Sequence, residues 1–133
     1  MTPPDRLTVL CVEDEDSQLS LPKLLFEAAG FDFCGSRTGA EALDLFRKRD
    51  IDAVVLDYWL SGMKGVELAE EMKRERPHVP VIILSGFASL PGEGAGLVTT
   101  WFQKGKVEPE ELVGEVRRLI ESESAKSGKL LEK

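Results

Sequence analysis

The chain alternates short apolar runs with longer amphipathic stretches. Short, almost continuously apolar runs are typical of parallel strands that are buried on both faces of a sheet. Such runs occupy residues 7–12, 31–34, 52–56, 79–84 and 97–102, with the weaker patterns in the second and the fifth. Stretches with helical character occupy residues 17–29, 39–49, 66–75 and 110–121. The pattern therefore predicts strands and helices in alternation.

Local signals mark several helix ends. Thr38, followed three residues later by Glu41, fits a capping box at the start of the second helix. Pro109 suits the first helical position of the last helix. Pro22 falls inside the first predicted helix, and we expect it to kink that helix or to delay its start.

Alternation in a chain of 133 residues predicts a single α/β domain with an open parallel sheet covered on both faces. The expected architecture is a flavodoxin-like, doubly wound (βα)5 fold with strand order 2-1-3-4-5, in which ligands bind at the carboxyl ends of the first and third strands. The segment 85–100 contains four glycines and a proline, so the fourth helix is expected to be short, irregular or absent. We assign residues 1–121 to the domain and 122–133 to a polar tail or the start of a linker.

Composition narrows the classes of function. With 42% hydrophobic and 31% charged residues the chain is globular, and no apolar run approaches the roughly 20 residues that cross a bilayer. We expect a cytoplasmic protein without a secretion signal. The net charge of -7 argues against nucleic acid as a direct partner and favours a cation or another protein. Cys11 and Cys34 lie in apolar runs and are interpreted as small buried hydrophobic residues.

Acidic residues follow two of the predicted strands. The run Glu13 to Asp16 follows the first strand, and Asp57 ends the third. An isolated acidic run is usually a solvated loop, but a further carboxylate at the neighbouring strand end favours a shared site. Carboxylates so close together repel one another unless a cation lies among them, and oxygen ligands without Cys or His favour Mg2+. The sequence therefore predicts a magnesium site at Glu13, Asp14 and Asp57.

A hydroxyl and a lysine are expected at the same edge of the sheet. Ser85 ends the fourth predicted strand, and Lys104 follows the fifth. Alone, Ser85 would be interpreted as a turn former and Lys104 as a surface residue. Next to three carboxylates and a metal they describe a site for phosphoryl transfer, in which a carboxylate attacks while cations neutralise the transferred group.

Four motifs, CVEDED, VVLDYWLSGMKG, VIILSGFAS and WFQKG, occur in this order. Together they resemble the receiver domain of two-component response regulators, over residues 7–121. The resemblance implies that Asp57 is the phosphoacceptor and that Glu13 and Asp14 are the acidic pair at Mg2+. It further implies that Ser85 is the switch hydroxyl and that Lys104 contacts the phosphoryl group.

The resemblance also implies roles for two tryptophans. The main-chain carbonyl of Trp59, two residues after the acceptor, would be a further metal ligand. Trp101 occupies the position of the switch aromatic residue, although a core residue at the sheet edge would fit the pattern nearly as well. Trp59 and Phe87 place large apolar groups where they could hinder an attacking water, and we hypothesise slow hydrolysis of the phosphoryl group.

The chain departs from the family pattern in several places. Glu13 stands where aspartate is more common, and Lys64 precedes Gly65 in a loop that lacks the usual proline. Gly105 follows Lys104 where the family has proline after a cis peptide bond; a cis bond before a non-proline residue costs about 2.5–4 kcal/mol, so a trans bond is expected. The interval between Ser85 and Lys104 is also shorter than expected.

The leading hypothesis is a signalling switch and not a turnover enzyme. A sensor histidine kinase or a phosphotransfer protein would donate a phosphoryl group to Asp57, and the modified domain would change its binding to a downstream effector protein. The sequence does not decide whether the protein forms a homodimer. The alternative is an atypical receiver that binds a partner without phosphorylation. A haloacid-dehalogenase-like phosphatase would require an aspartate where Trp59 stands, and a flavin carrier would require a phosphate-binding loop where the chain has EDED.

Overall fold

The structure is a computed structural model that describes residues 6–60, 62–85, 100–103 and 105–131. The predicted fourth helix lies outside the described residues, as do Ser61, Phe87 and Lys104. The strands are β1 (Thr8–Val12), β2 (Asp32–Ser36), β3 (Ala53–Asp57), β4 (Trp59–Leu60), β5 (Met63–Lys64), β6 (Val81–Ser85) and β7 (Thr100–Gln103). The helices are α1 (Ser20–Ala28), α2 (Gly39–Lys48), α3 (Gly65–Glu75) and α4 (Pro109–Leu131).

Five of these strands form one parallel sheet in the order β2-β1-β3-β6-β7. Strands β4 and β5 form a separate antiparallel pair of two residues each, which the apolar pattern does not predict. Without that pair, the order is the predicted 2-1-3-4-5. The flavodoxin-like fold is therefore confirmed, and the carboxyl ends of β1 and β3 are neighbours.

Side chains from alternate positions of the strands enter two cores, one on each face of the sheet. One core joins strand residues such as Leu10, Leu56 and Ile83 to α2 and α3 through Phe46 and Met72. The other joins strand residues to α1 and α4, and its members include Val9, Cys11, Val55, Ile82, Phe26, Leu112 and Val116. Because helices cover both faces of the sheet, polar functional side chains on the strands can reach solvent only at the strand ends.

The first helix shows the effect of Pro22. Residues Asp16–Gln18 form a 3-10 turn, and α1 begins at Ser20, three residues later than predicted. Pro22 is then the third helical residue, in the first turn, where a backbone N–H would have no helical acceptor. The expected delay of the helix start is confirmed.

The two other predicted helix starts are also confirmed. The Thr38 hydroxyl oxygen accepts a hydrogen bond from the Glu41 N–H at 3.1 Å, as expected of an N-cap residue. The Glu41 carboxylate does not complete the capping box and accepts instead from the Arg37 N–H and the Ser36 hydroxyl, each at 3.2 Å. Helix α4 begins at Pro109.

The last helix is longer than predicted. It continues to Leu131, so the expected end at residue 121 is wrong. Residues 122–131 are mostly polar, but they contain no proline and a single glycine, Gly128, and serine, alanine and lysine are all compatible with a helix. Polar composition alone is therefore a poor indicator of the helix end.

Candidate functional site

The acidic cluster lies where β1 and β3 end side by side. Val12 is paired with Leu56 in the parallel ladder, so the next residues along the two strands, Glu13 and Asp57, are opposite each other. One carboxylate oxygen from each of Glu13, Asp14 and Asp57 lies within 4.8 Å of the others. The structure thus brings together all three side chains that the sequence predicts at the metal site.

The cluster is partly withdrawn from water. Glu13 is 8% exposed, and its backbone N–H donates a hydrogen bond to the Ser36 carbonyl oxygen at 3.0 Å, which fixes the first residue after β1 against the end of β2. Asp14 and Asp57 are partly buried. Three carboxylates at this separation and burial repel one another, so they favour a bound cation. Their all-oxygen chemistry fits Mg2+, which takes one or two carboxylates directly and keeps water on its other positions.

Ser85 lies one residue beyond the position on β6 that pairs with Asp57. Asp57 pairs with Leu84, and Ser85, the last residue of β6, is fully buried and pairs with Gln103 on β7. The predicted serine is therefore at the same edge of the sheet as the acidic cluster. Lys104 lies outside the described residues, so its predicted place at this edge stays a prediction.

The loop after Asp57 is a small hairpin. The Tyr58 N–H donates to the Leu84 carbonyl oxygen at 2.8 Å, which ties the loop to β6. Trp59 then pairs with Lys64 across the β4–β5 ladder, and Gly62 supplies the turn with φ of +84°, a value that favours glycine. The Lys64 ammonium lies 5.9 Å from the centre of the Trp59 ring. Trp59 remains about half exposed (54%).

Gly65 lets α3 begin directly against the backbone of Asp57. A Cβ atom on this residue would overlap the carbonyl oxygen of Asp57 and lie 3.2 Å from Cα of Tyr58. The Gly65 N–H also donates to the Tyr58 carbonyl oxygen at 2.5 Å. Only a residue without a side chain allows this close contact between backbones. The motif contains this glycine, but the sequence does not reveal what it touches.

Trp101 lies on the edge strand β7. It pairs with Ile83 and packs, partly buried, against the core that α2 and α3 cover. This placement fits a core residue at the sheet edge, and its role as a switch aromatic residue stays a prediction.

A small cavity of about 40 Å³ lies beneath the cluster, lined by residues that include Asp57, Glu13 and Cys11. Burial raises the pKa of the Cys11 thiol well above its usual range, with a smaller contribution from Cys34. Since the thiolate is the nucleophilic form, a raised pKa makes Cys11 unreactive, which fits its prediction as a small buried hydrophobic residue.

Fold and site together define a class of signalling domain. The response regulator receiver domain family matches residues 9–99, which is more than half of the chain, and the protein belongs to this family. Among curated relatives, the polar-differentiation response regulator DivK from Brucella ovis is 36% identical over 83 residues, which are 61% of this chain and 68% of DivK.

Solved structures agree on the fold. The CheY-like receiver domain from Methanospirillum hungatei superimposes with a TM-score of 0.83 at 23% identity, covering 92% of this chain and 99% of that one. The response regulator TrrA from Thermotoga maritima, solved in complex with Mg2+-BeF, gives a TM-score of 0.78 at 24% identity, with 85% and 98% covered. Within the described part of the chain, the helices are too short or too polar to cross a membrane.

Proposed function

We propose that this receiver domain is a phosphorylation switch in which Asp57 accepts a phosphoryl group with the help of Mg2+. One observation carries the proposal: the carboxylates of Glu13, Asp14 and Asp57 lie within 4.8 Å of one another at the carboxyl edge of the sheet. Membership of the receiver family supports the same function. The Mg2+-BeF complex of the similar TrrA is a further support from a relative.

Several residues of the chain would act together as ligands of the metal ion. Glu13 and Asp14 would hold Mg2+ together with one oxygen of Asp57 and the main-chain carbonyl of Trp59. The metal would neutralise charge on the phosphoryl oxygens, because the transferred group carries its negative charge on the equatorial oxygens. A single Mg2+ would also offset the repulsion among the three carboxylates.

The transfer itself is a displacement at phosphorus. A free oxygen of the Asp57 carboxylate attacks the phosphorus of a phosphohistidine in line with the P–N bond. The new O–P bond forms as the P–N bond breaks, and the imidazole leaves with the electron pair of that bond. Lys104 would pair with the phosphoryl oxygens, and Ser85 would donate its hydroxyl hydrogen to one of them. Asp57 is restored when water hydrolyses the acyl phosphate, so the domain acts once per cycle and is not a turnover enzyme.

The donor would be a sensor histidine kinase or a phosphotransfer protein, and the recipient of the signal a downstream effector protein. The net charge of -7 favours protein partners over direct contact with nucleic acid. Ser85 and Trp101 lie on adjacent strands, so a hydroxyl drawn toward the phosphoryl group could be coupled to the sheet edge that Trp101 occupies. We expect this activity in the cytoplasm.

The deciding experiment uses acetyl phosphate and Mg2+, followed by intact mass measurement. We expect the wild-type protein to gain the mass of one phosphoryl group, and Asp57→Ala to gain none. Asp50→Ala, which removes an exposed aspartate before the same strand, is the matched control and should behave as wild type. Chelation of Mg2+ should abolish the gain. If the wild-type protein gains no mass with acetyl phosphate or with a histidine kinase, the phosphorylation-independent interaction module replaces this proposal.

A further inference from the structure

One side chain of the β4–β5 hairpin lies against the start of α2. Met63, on β5, is partly buried and packs against the core that α2 and α3 cover. Gly39, the first residue of α2, is buried beside it. A Cβ atom at position 39 would overlap Met63 Sδ and would lie 3.5 Å from its Cγ and 3.7 Å from its Cε. The methionine therefore occupies the space that a side chain at position 39 would need.

Met63 belongs to the part of the site that follows β3. It pairs with the buried Leu60, and the next residue, Lys64, pairs with Trp59. The base of the same hairpin is tied to β6 through the Tyr58 N–H. The contact between Met63 and Gly39 thus joins this hairpin directly to α2.

Gly39 belongs to the other part of the site, because the start of α2 is fixed to the end of β1. The Glu13 N–H donates to the Ser36 carbonyl oxygen at 3.0 Å. The Ser36 hydroxyl in turn donates to the carboxylate of Glu41, in the first turn of α2, at 3.2 Å. A continuous set of contacts therefore runs from the end of β1 through the start of α2 to Met63 and the hairpin.

We infer that Met63 is a positioning residue for the metal site: its contact with Gly39 sets how the β4–β5 hairpin lies relative to the acidic pair at the end of β1. The inference rests on the proposed function, in which that pair and the carbonyl of Trp59 bind the same Mg2+. Mg2+ demands near-ideal octahedral geometry at short distances. Ligands on two separate segments can therefore bind it well only if the segments are held in a fixed relation.

The two residues offer separate ways to break the contact. Gly39 does not have a positive φ, so alanine suits its backbone, and the added Cβ atom would displace a flexible side chain and not the backbone. Met63→Ala removes the side chain and leaves the hairpin backbone in place. Met63→Leu places a methyl group near the position of Sδ and should keep the contact, because cores tolerate exchange of leucine and methionine.

The experiment measures Mg2+ affinity by tryptophan fluorescence and, in metal-free protein, hydrogen exchange of the peptides that cover β4 and β5. We expect Met63→Ala to weaken Mg2+ affinity about tenfold, the lower end of the range for residues that orient metal ligands. Gly39→Ala should weaken it less, and Met63→Leu should stay close to wild type. The hairpin amides should exchange faster in Met63→Ala than in wild type, even without metal.

A double-mutant cycle tests whether the two residues act through one contact. Once the methionine side chain is removed, a methyl group at position 39 has nothing left to displace. The variant that combines Gly39→Ala with Met63→Ala should therefore bind Mg2+ no more weakly than Met63→Ala alone. Losses that add in full would show that the residues act independently, which contradicts the inference.

Met72→Ala is the matched control. It removes the same side chain from the same core, but Met72 lies toward the end of α3 and is fully buried. It should lower the urea midpoint at least as far as Met63→Ala does, while the folded protein keeps its Mg2+ affinity. An equal loss of affinity in this control, or wild-type affinity in Met63→Ala, would overturn the inference. Failure of the wild-type protein to bind Mg2+ or to be phosphorylated would instead contradict the proposed function.

Discussion

Replacing Gly65 by alanine tests how the backbone of Asp57, the proposed phosphoacceptor, is held in place. Gly65 begins α3 and does not have a positive φ, so alanine suits its backbone. On helix propensity alone the substitution should stabilise the protein by up to about 1 kcal/mol. The added Cβ atom, however, would overlap the Asp57 carbonyl oxygen and lie 3.2 Å from both the Asp57 carbonyl carbon and the Tyr58 Cα.

The clash should outweigh the gain in propensity. The three atoms nearest to this Cβ position belong to the backbone and cannot rotate away, and overpacking of this kind costs about 1–3 kcal/mol. The Tyr58 carbonyl also accepts the hydrogen bond from the Gly65 N–H, so the helix start cannot retreat without breaking it. We expect a net loss of about 1–2 kcal/mol of unfolding free energy. The backbone of the acceptor should move, and phosphorylation should slow with it.

Urea unfolding gives the stability, and phosphorylation by acetyl phosphate gives the function. With an m-value of about 2 kcal/mol/M, the Gly65→Ala midpoint should fall by about 0.5–1 M. Gly114→Ala is the matched control, because Gly114 lies in α4 with open space around its Cβ position, and it should raise the midpoint instead. The reasoning fails if both variants are stabilised, or if Gly65→Ala phosphorylates at the wild-type rate.

Other substitutions test the metal site, the loop after β3 and the partly buried carboxyl of Asp52. Asp57→Asn should lose most of the Mg2+-dependent gain in unfolding free energy, which for a single site is about 2.7 kcal/mol at 100 times the dissociation constant; an undiminished gain would place the metal elsewhere. Trp59→Asn should speed loss of the phosphoryl group if the ring hinders water, and an unchanged rate would refute that. Burial raises the pKa of Asp52, so the folded state holds its proton more tightly than the unfolded state. The unfolding free energy of Asp52→Asn should therefore exceed that of the wild type most near pH 7. Urea titrations should show this difference shrinking as the pH falls through the range in which carboxyl groups titrate.

The fold could be predicted because its signals are local and repeat along the chain. Runs such as Val54 to Leu56 are apolar on both faces, which only a covered parallel sheet explains, and helix signals such as Thr38 separate them. Strand order then follows from rules of chain connection. The acidic cluster could be predicted for the same reason: once β1 and β3 are neighbours, Glu13 and Asp57 must be opposite each other.

The remaining features depend on contacts that local pattern does not record. The β4–β5 hairpin is too short to show alternation, and it forms because Gly62 permits the turn and Leu60 is buried. The reason for a glycine at position 65 becomes clear only in the structure, where this residue lies against the carbonyl oxygen of Asp57. The length of α4 escapes prediction because polar residues also suit a tail, although a helix needs only the absence of strong breakers.

Among the residues that the structure describes, three glycines have positive φ. Gly30 closes α1 far from the site, whereas Gly62 and Gly105 lie in the loops that follow the acceptor strand and β7. In each case the space around the Cβ position is open, so the glycine is required by conformation and not by packing. Since β3 fixes where the first of these loops begins, the turn at Gly62 brings Trp59 opposite Lys64. The strand ends therefore bring the carboxylates together, and the turn at Gly62 shapes the loop that follows Asp57, which side-chain identity alone would not reveal.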